Sequence, residues 1–389
     1  MGSLAPTSIP EQRFMTNITI LGSGFGALTT VRELRKRGIG AEITLISPRT
    51  ELHYLPSSIW IPAKLRKAEN LKIPLGPFFA KNKVNFVQAS VTGLRNKGRT
   101  IVTDKGEFEN DHLVIATGGR FLKKLPGIEN ALTICEGLEV GTKIDRRLSD
   151  MQGGTIAFGF ATNPNEQGAI RGGPMFELLF IIDAHLRKTG RRDAFKLVFF
   201  SPAPRPGIRL GEKAVDRILA NMKKRGIDTY LGSKLMRFEA DKVVTEAAEI
   251  SADMILFMPG MTGPAWAAET GLPLSPGGMI AADETCAVAG HPNVWVVGDA
   301  GSYPGPDWLA KQAHQADLQA VAVAENILSV LDDKPATRRF KPELICIVDT
   351  LDTGIVVYRS ERHSIVTPAS KLFHWLKRAF EHHYLGAYR

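Results

Sequence analysis

Cysteine is scarce in this sequence. Only Cys135, Cys286 and Cys346 occur among 389 residues. None belongs to a Cys-x-x-Cys pair, so neither zinc nor thioredoxin-type chemistry is signalled, and no metal-ligand pattern is present. Three widely spaced cysteines make no disulfide framework and fit a cytoplasmic chain. Long apolar runs are also missing: none approaches the ~18 residues of a membrane-crossing helix. The first 16 residues lack the basic start and apolar stretch of a secretory signal. Residues 1–14 read as a disordered lead or an appended remnant, and Met15 is a candidate start. The net charge is +9, yet no nucleic-acid module and no basic stripe with interleaved aromatics accompanies it. An anionic membrane surface or a merely soluble basic protein remain as readings of that charge.

What is present points to an α/β chain of two or three domains. Residues 17–21 (Asn-Ile-Thr-Ile-Leu) read as a buried strand, 27–37 as a helix, and 42–46 as the next, parallel strand. His112-Leu-Val-Ile-Ala116 is a further buried strand ending at Thr117-Gly118-Gly119. A second block starts near Thr155, with strands at 196–200 and 254–258 and a helix around 212–225. The strand Val294–Val297 runs into Gly298-Asp299, a helix follows over roughly 308–330, and strand-like stretches at 344–348 and 354–358 precede a terminal helix.

Gly22-Ser-Gly24-Phe25-Gly26-Ala27 is a G-x-G-x-x-A fingerprint with a strand before it and a helix after it. Gly22 permits the tight turn, and Gly24 lets the backbone approach a pyrophosphate. Ala27 allows close helix–strand packing, and the helix N-terminus favours the negative charge. The acidic residue expected to end the second strand is missing. Ser47 stands there instead, either a weaker ribose partner or only a turn residue before Pro48. Together, the fingerprint, Ala116-Thr-Gly-Gly119 and Gly298-Asp299-Ala300 describe the split FAD domain of a flavoprotein with two dinucleotide-binding domains. The expected class is therefore α/β: two Rossmann-like, glutathione-reductase-like domains plus a C-terminal amphipathic helical region. The expected boundaries are 15–120 (FAD domain, first part), 121–285 (second Rossmann-like domain), 286–335 (FAD domain, second part) and 336–389 (membrane- or dimer-associating region).

These residues resemble the sulfide:quinone oxidoreductases, within a wider set holding flavocytochrome c sulfide dehydrogenases and type II NADH dehydrogenases. The matching stretches are Ile43–Thr50, His112–Gly119, Ile134-Cys-Glu136, Gly173–Glu177, Phe257–Pro264, Gly298–Ala300, Lys311-Gln-Ala313 and the tail Ala379–Leu385. They run along nearly the whole chain. The resemblance implies FAD as cofactor, held by Gly22, Gly24, Phe25, Gly26, Ala27, Ser47, Pro48, Arg49, Val91, Ala116, Thr117, Gly118, Gly298 and Asp299, with Pro56 beside the flavin. It places Lys311 near the ring, where its charge would stabilise the reduced flavin, unless it is a plain surface lysine. It makes Glu177 a carboxylate for proton transfer, unless it is a solvated helix-start residue. It makes Cys346 one member of a redox cysteine pair and Cys135 a third family cysteine of less central role.

Two departures narrow the expectation. The strand near Thr155 continues as Gly159-Phe-Ala-Thr-Asn-Pro-Asn, not as a second glycine fingerprint, which argues against NADH as donor. The loop 161–173 contains no cysteine, so Cys346 lacks the partner that a thiolate–disulfide couple needs unless Cys135 or Cys286 approaches it in the fold. All three cysteines are otherwise readable as small buried apolar residues.

In the tail, Leu372, Phe373, Leu376, Phe380 and Tyr384 recur at helical spacing, flanked by Lys371, Lys377 and Arg378. A basic amphipathic helix over 370–389 either lies flat on a membrane interface or packs on its own domain or a dimer mate. The expected protein is a peripheral, FAD-dependent oxidoreductase on the cytoplasmic side of the membrane. It passes electrons from a small inorganic or organic reductant, sulfide by resemblance, to a quinone. A redox-protein partner, self-association and a type II NADH:quinone activity stay open. Nucleic acid is excluded as a partner.

Overall fold

The computed structural model describes residues 16–389. The expectations for residues 1–14 and Met15 lie outside the described residues.

The strand Asn17–Leu21 is aliphatic along both faces, and Ile18, Ile20 and Leu21 are all fully buried. Such a strand belongs in the middle of a parallel sheet covered on both sides. It pairs in parallel with Glu42–Ser47 on one side and with His112–Ile115 on the other. Val84–Gln88 forms one edge of this five-stranded sheet, and Val294–Val296 forms the other. The sheet therefore draws strands from two distant parts of the chain. The helices Phe25–Lys36 and Ala313–Leu331 share one core beneath it, with Ala27, Leu28, Ala320 and Val323 all closed to water.

A second parallel sheet has the order Ala131–Leu132, Met254–Met258, Gly154–Phe160, Phe195–Ser201, Asp228–Leu231. Its helix Gly173–Lys188 is apolar nearly all round and is buried accordingly. Asp183 within it is fully closed to water and is balanced by Arg187, Arg192 and Arg225 at 3.0, 2.6 and 2.8 Å. A buried carboxylate persists only with such partners.

The chain closes with a three-stranded antiparallel sheet, Glu343–Asp349, Gly354–Ser360 and Ser364–Val366, followed by the helix Lys371–Gly386. The helix expected over 308–330 begins only at Ala313. The preceding segment holds Pro304 and Pro306 and runs extended into Gln312. Three antiparallel strands between residues 91 and 109 are an element that the sequence patterns did not single out.

Candidate functional site

A cleft of about 1370 Å³ opens between the two parallel sheets and reaches the C-terminal helix. It exceeds the ~300–1,000 Å³ of an ordinary small-ligand pocket. Its floor is the turn after Asn17–Leu21. Gly22 has φ +110°, and a Cβ there would meet the Ala116 carbonyl oxygen at 2.4 Å. Only glycine fits. At Gly24 a Cβ would meet nothing within 4 Å, so the side-chain space of that residue belongs to the cleft. Gly118 is equally open. The Ser47 hydroxyl closes strand Glu42–Ser47 with a 2.9 Å hydrogen bond to Ser23 Oγ, beside the fingerprint.

Every candidate catalytic or FAD-holding residue named from the sequence lines this cleft except Ala27. Ala27 is fully buried in the helix–sheet packing, the role its size suggested. Pro48, Arg49, Pro56, Val91 and Thr117 all face the cleft. Two polar atoms on its wall, Thr117 Oγ1 and Gln312 Oε1, are buried without a hydrogen-bond partner among the described residues. Orphaned buried groups of this kind call for a bound partner. The open glycine cradle and these two atoms fit a dinucleotide such as FAD.

Lys311 is no surface lysine. It lines the cleft and donates to the Gly301 carbonyl, and burial lowers its ammonium below the usual range, against the pull of Asp299 and Glu166. Asp299 pairs with Arg171, which the sequence reading did not single out. Arg171 comes from the cysteine-free loop 161–173 and also faces Cys135. In that loop Asn163 is buried and donates to the carbonyls of Met261 (2.8 Å) and Gly277 (3.1 Å). The turn where a second glycine fingerprint would stand is thus filled by its own side chains.

Glu177 is buried, not solvated. It pairs with Lys377 of the C-terminal helix and accepts a hydrogen bond from the Asp349 backbone N–H at 3.3 Å. Burial pushes its carboxyl up to about 7, although Lys377 pulls the other way. Cys346 lines the cleft beside this pair, and its sulfur lies 3.7 Å from where a Gly173 Cβ would sit. Burial, with Glu177 adding to it, pushes the Cys346 thiol up to about 12. Cys135 also lines the cleft, and burial raises its thiol although Arg171 pulls it down. Cys286 is sealed in the core of the first sheet. All three cysteines are free.

The C-terminal helix has two faces. Its inner face docks through Lys377, through Glu381 to Ser57 and Arg66 (2.8 Å to the latter), and through Tyr384 to Asp317 (3.1 Å). Its outer face exposes Leu372 (59%), Trp375 (59%), Leu376 (46%) and Phe380 (56%). Lys377 is therefore not a basic flank of the outer face, as the sequence pattern suggested. The outward cross-strand row Ile345–Tyr358–Ile365 adds Ile345 and Ile365 to the exposed apolar residues. No helix among the described residues is long and apolar enough to cross a membrane.

Residues 16–323 match the profile of the pyridine nucleotide-disulphide oxidoreductases. The chain is 25% identical to the sulfide-quinone reductase of Aquifex aeolicus, over 96% of this chain and 91% of that protein. The crystal structure of the sulfide:quinone oxidoreductase from Aquifex aeolicus shares its fold, with a TM-score of 0.85 over 96% of this chain and 91% of that one at 24% identity. A type II NADH:quinone oxidoreductase of Staphylococcus aureus is 26% identical, over 83% of this chain and 84% of that protein. With the family match spanning most of its length and both relatives in the same class, the chain is an oxidoreductase that belongs to the pyridine nucleotide-disulphide oxidoreductase family.

Proposed function

We propose that the chain holds FAD in the cleft and passes two electrons from a small reductant to a quinone at the cytoplasmic face of a membrane. The observation that carries this reading is the Glu177–Lys377 pair, which sets a proton-holding carboxyl where the cleft meets the apolar C-terminal helix. FAD, when bound, supplies the two-electron link between donor and acceptor. Gly22, Gly24, Ser47, Gly118 and Asp299 hold the dinucleotide, and Pro56 and Lys311 flank its ring. Reducing a quinone to a hydroquinone takes up two electrons and two protons. Glu177, with a carboxyl near 7, is suited to deliver one proton at neutral pH. Leu372, Trp375, Leu376 and Phe380 would rest in the lipid interface, which keeps the acceptor's entrance in the phase where a quinone dissolves.

Sulfide is the donor favoured by similarity to the Aquifex protein. The missing loop cysteine and the high Cys346 thiol leave no thiolate–disulfide couple to store sulfur. That same loss favours a second reading, an electron-transfer flavoprotein reduced by a docked redox protein. NADH is favoured only by similarity to the Staphylococcus enzyme, and the Asn163-filled turn leaves its pyrophosphate no glycine cradle.

Anaerobic mixing of the purified protein with sulfide, and separately with NADH, decides among these by the flavin's visible absorbance. Bleaching by sulfide, reversed by decylubiquinone, is the expected result. A flavin left oxidised by sulfide but bleached by dithionite rejects sulfide. Rapid bleaching by NADH moves the protein to the NADH branch.

A further inference from the structure

One turn of the C-terminal helix faces two buried carboxylates. His374 and Lys377 stand three positions apart and project to the same side. Lys377 pairs with Glu177, and His374 Nδ1 lies 3.0 and 3.2 Å from the two Asp349 oxygens. Asp349 is fully closed to water, and Trp60 Nε1 (2.6 Å) and the Leu351 N–H (3.0 Å) also donate to it. The two pairs are joined, because the Asp349 N–H donates to Glu177 Oε2. With both carboxyls ionised and Lys377 protonated, the cluster carries one net negative charge out of water. A charge on His374, 3.0 Å from Asp349, cancels it.

The other groups facing this cluster offer no such compensation. Cys346, on the Asp349 strand, and Cys135, beside Glu177, are thiols that burial keeps protonated. Arg171, near Cys135, is paired with Asp299. Arg66 lies 5.2 Å over the Trp60 ring but is held by Glu381.

We propose that His374, acting through Asp349, is a positioning residue that sets whether Glu177 holds a proton at neutral pH. The role rests on the reading of Glu177 as a proton donor in quinone reduction. A charged His374 favours ionised Glu177. A neutral one leaves the Asp349 charge acting on Glu177 and keeps the proton there.

Infrared spectroscopy of the full chain across pH tests this, following the protonated carboxyl band that disappears in Glu177→Gln. His374→Asn keeps an N–H for Asp349 but carries no charge. It is expected to move the Glu177 midpoint to higher pH by on the order of one unit. Asp349→Asn is expected to move the midpoint lower, and it keeps the test open should His374→Asn fail to fold. A general loosening of the fold would move both variants the same way. Decylubiquinone reduction by the FAD-loaded protein should show its pH limb displaced as the infrared midpoint is, with KM unchanged. Midpoints that stay put in both variants, or move in the same direction, overturn the inference. An infrared shift with no pH limb in the wild type overturns the role of Glu177 in quinone reduction and leaves the coupling to His374 intact.

Discussion

Lys377 and Glu177 stand 200 positions apart in the chain and form one buried ion pair, the point where the C-terminal helix meets the central helix of the second sheet. Such a pair is not a free source of stability, because both charges must leave water. Here burial outweighs the attraction, and the Glu177 carboxyl rises from 4.5 to about 7.

That rise has a definite sign. Between pH 4.5 and 7 the folded protein holds a proton that the unfolded chain releases, so this group's contribution to stability falls as pH rises and levels off above 7. At about 1.4 kcal/mol per pH unit the whole change is about 3.5 kcal/mol, of which about 2.5 kcal/mol falls between pH 5 and 8. Glu177→Gln removes it. Urea unfolding at pH 5 to 8 should show the variant gaining on the wild type by roughly that amount as pH rises. A wild-type-minus-variant difference that is flat across this range contradicts the burial of an ionisable Glu177.

Gly24 separates cofactor binding from folding. A side chain there enters the cleft and meets no protein atom within 4 Å, whereas a Cβ at Gly26 would press on Val297 at 2.6 Å. Gly24→Val should leave the apo-protein's melting temperature within about 2 °C of wild type and lower flavin content at least tenfold; a valine side chain in open space costs the fold little. Gly26→Val should lower the melting temperature outright. Retention of a full complement of flavin by Gly24→Val would show that the dinucleotide does not lie on this turn.

Much of this site was legible in the chain. The fingerprint turn stood out because a strand, two glycines and a helix follow one another within the reach of local rules, and every candidate but Ala27 lines the cleft. What escaped depends on contacts between distant segments. Arg171 reaches Asp299 across 128 positions, and nothing in loop 161–173 announces that contact. Lys377 was misplaced for a different reason. Its helix carries a second stripe, His374, Lys377, Glu381 and Tyr384 at spacings of three and four, and this polar stripe is the inward one. The rule that apolar faces turn inward fails for this helix, whose polar stripe is the docked one and whose Leu372, Trp375, Leu376 and Phe380 are exposed. The burial of Glu177 had a signal too: the apolar run Met175–Ile182 surrounds it on all sides of its helix.

The outer face of that helix supplies the third test. Leu372, Trp375 and Phe380 are each more than half exposed and make no core that their loss would empty. Replacing all three with Glu should reduce co-sedimentation with vesicles containing phosphatidylglycerol more than tenfold, since it removes apolar insertion and adds repulsion from an anionic surface. The melting temperature should stay near that of the wild type. Unchanged vesicle binding with intact folding would assign the face to a protein partner, another copy of the chain included.

Cys346 provides the last test, because its thiol bears on the donor. Thiolates, not thiols, react with alkylating agents and with sulfur donors. Burial and the neighbouring Glu177 push this thiol from 9.0 up to about 12, so at pH 8 its thiolate fraction falls roughly a thousandfold below that of an unperturbed cysteine. Timed iodoacetamide labelling read by mass spectrometry should find Cys346 slower than a free cysteine by about that factor. Glu177→Gln removes the negative charge and should speed labelling, while leaving the desolvation in place. Should Cys346 instead label as fast as free cysteine, its thiolate is available near neutral pH, and the desolvation assigned to its place in the cleft is wrong. Slow labelling leaves the donor to give its electrons without a cysteine-bound sulfur.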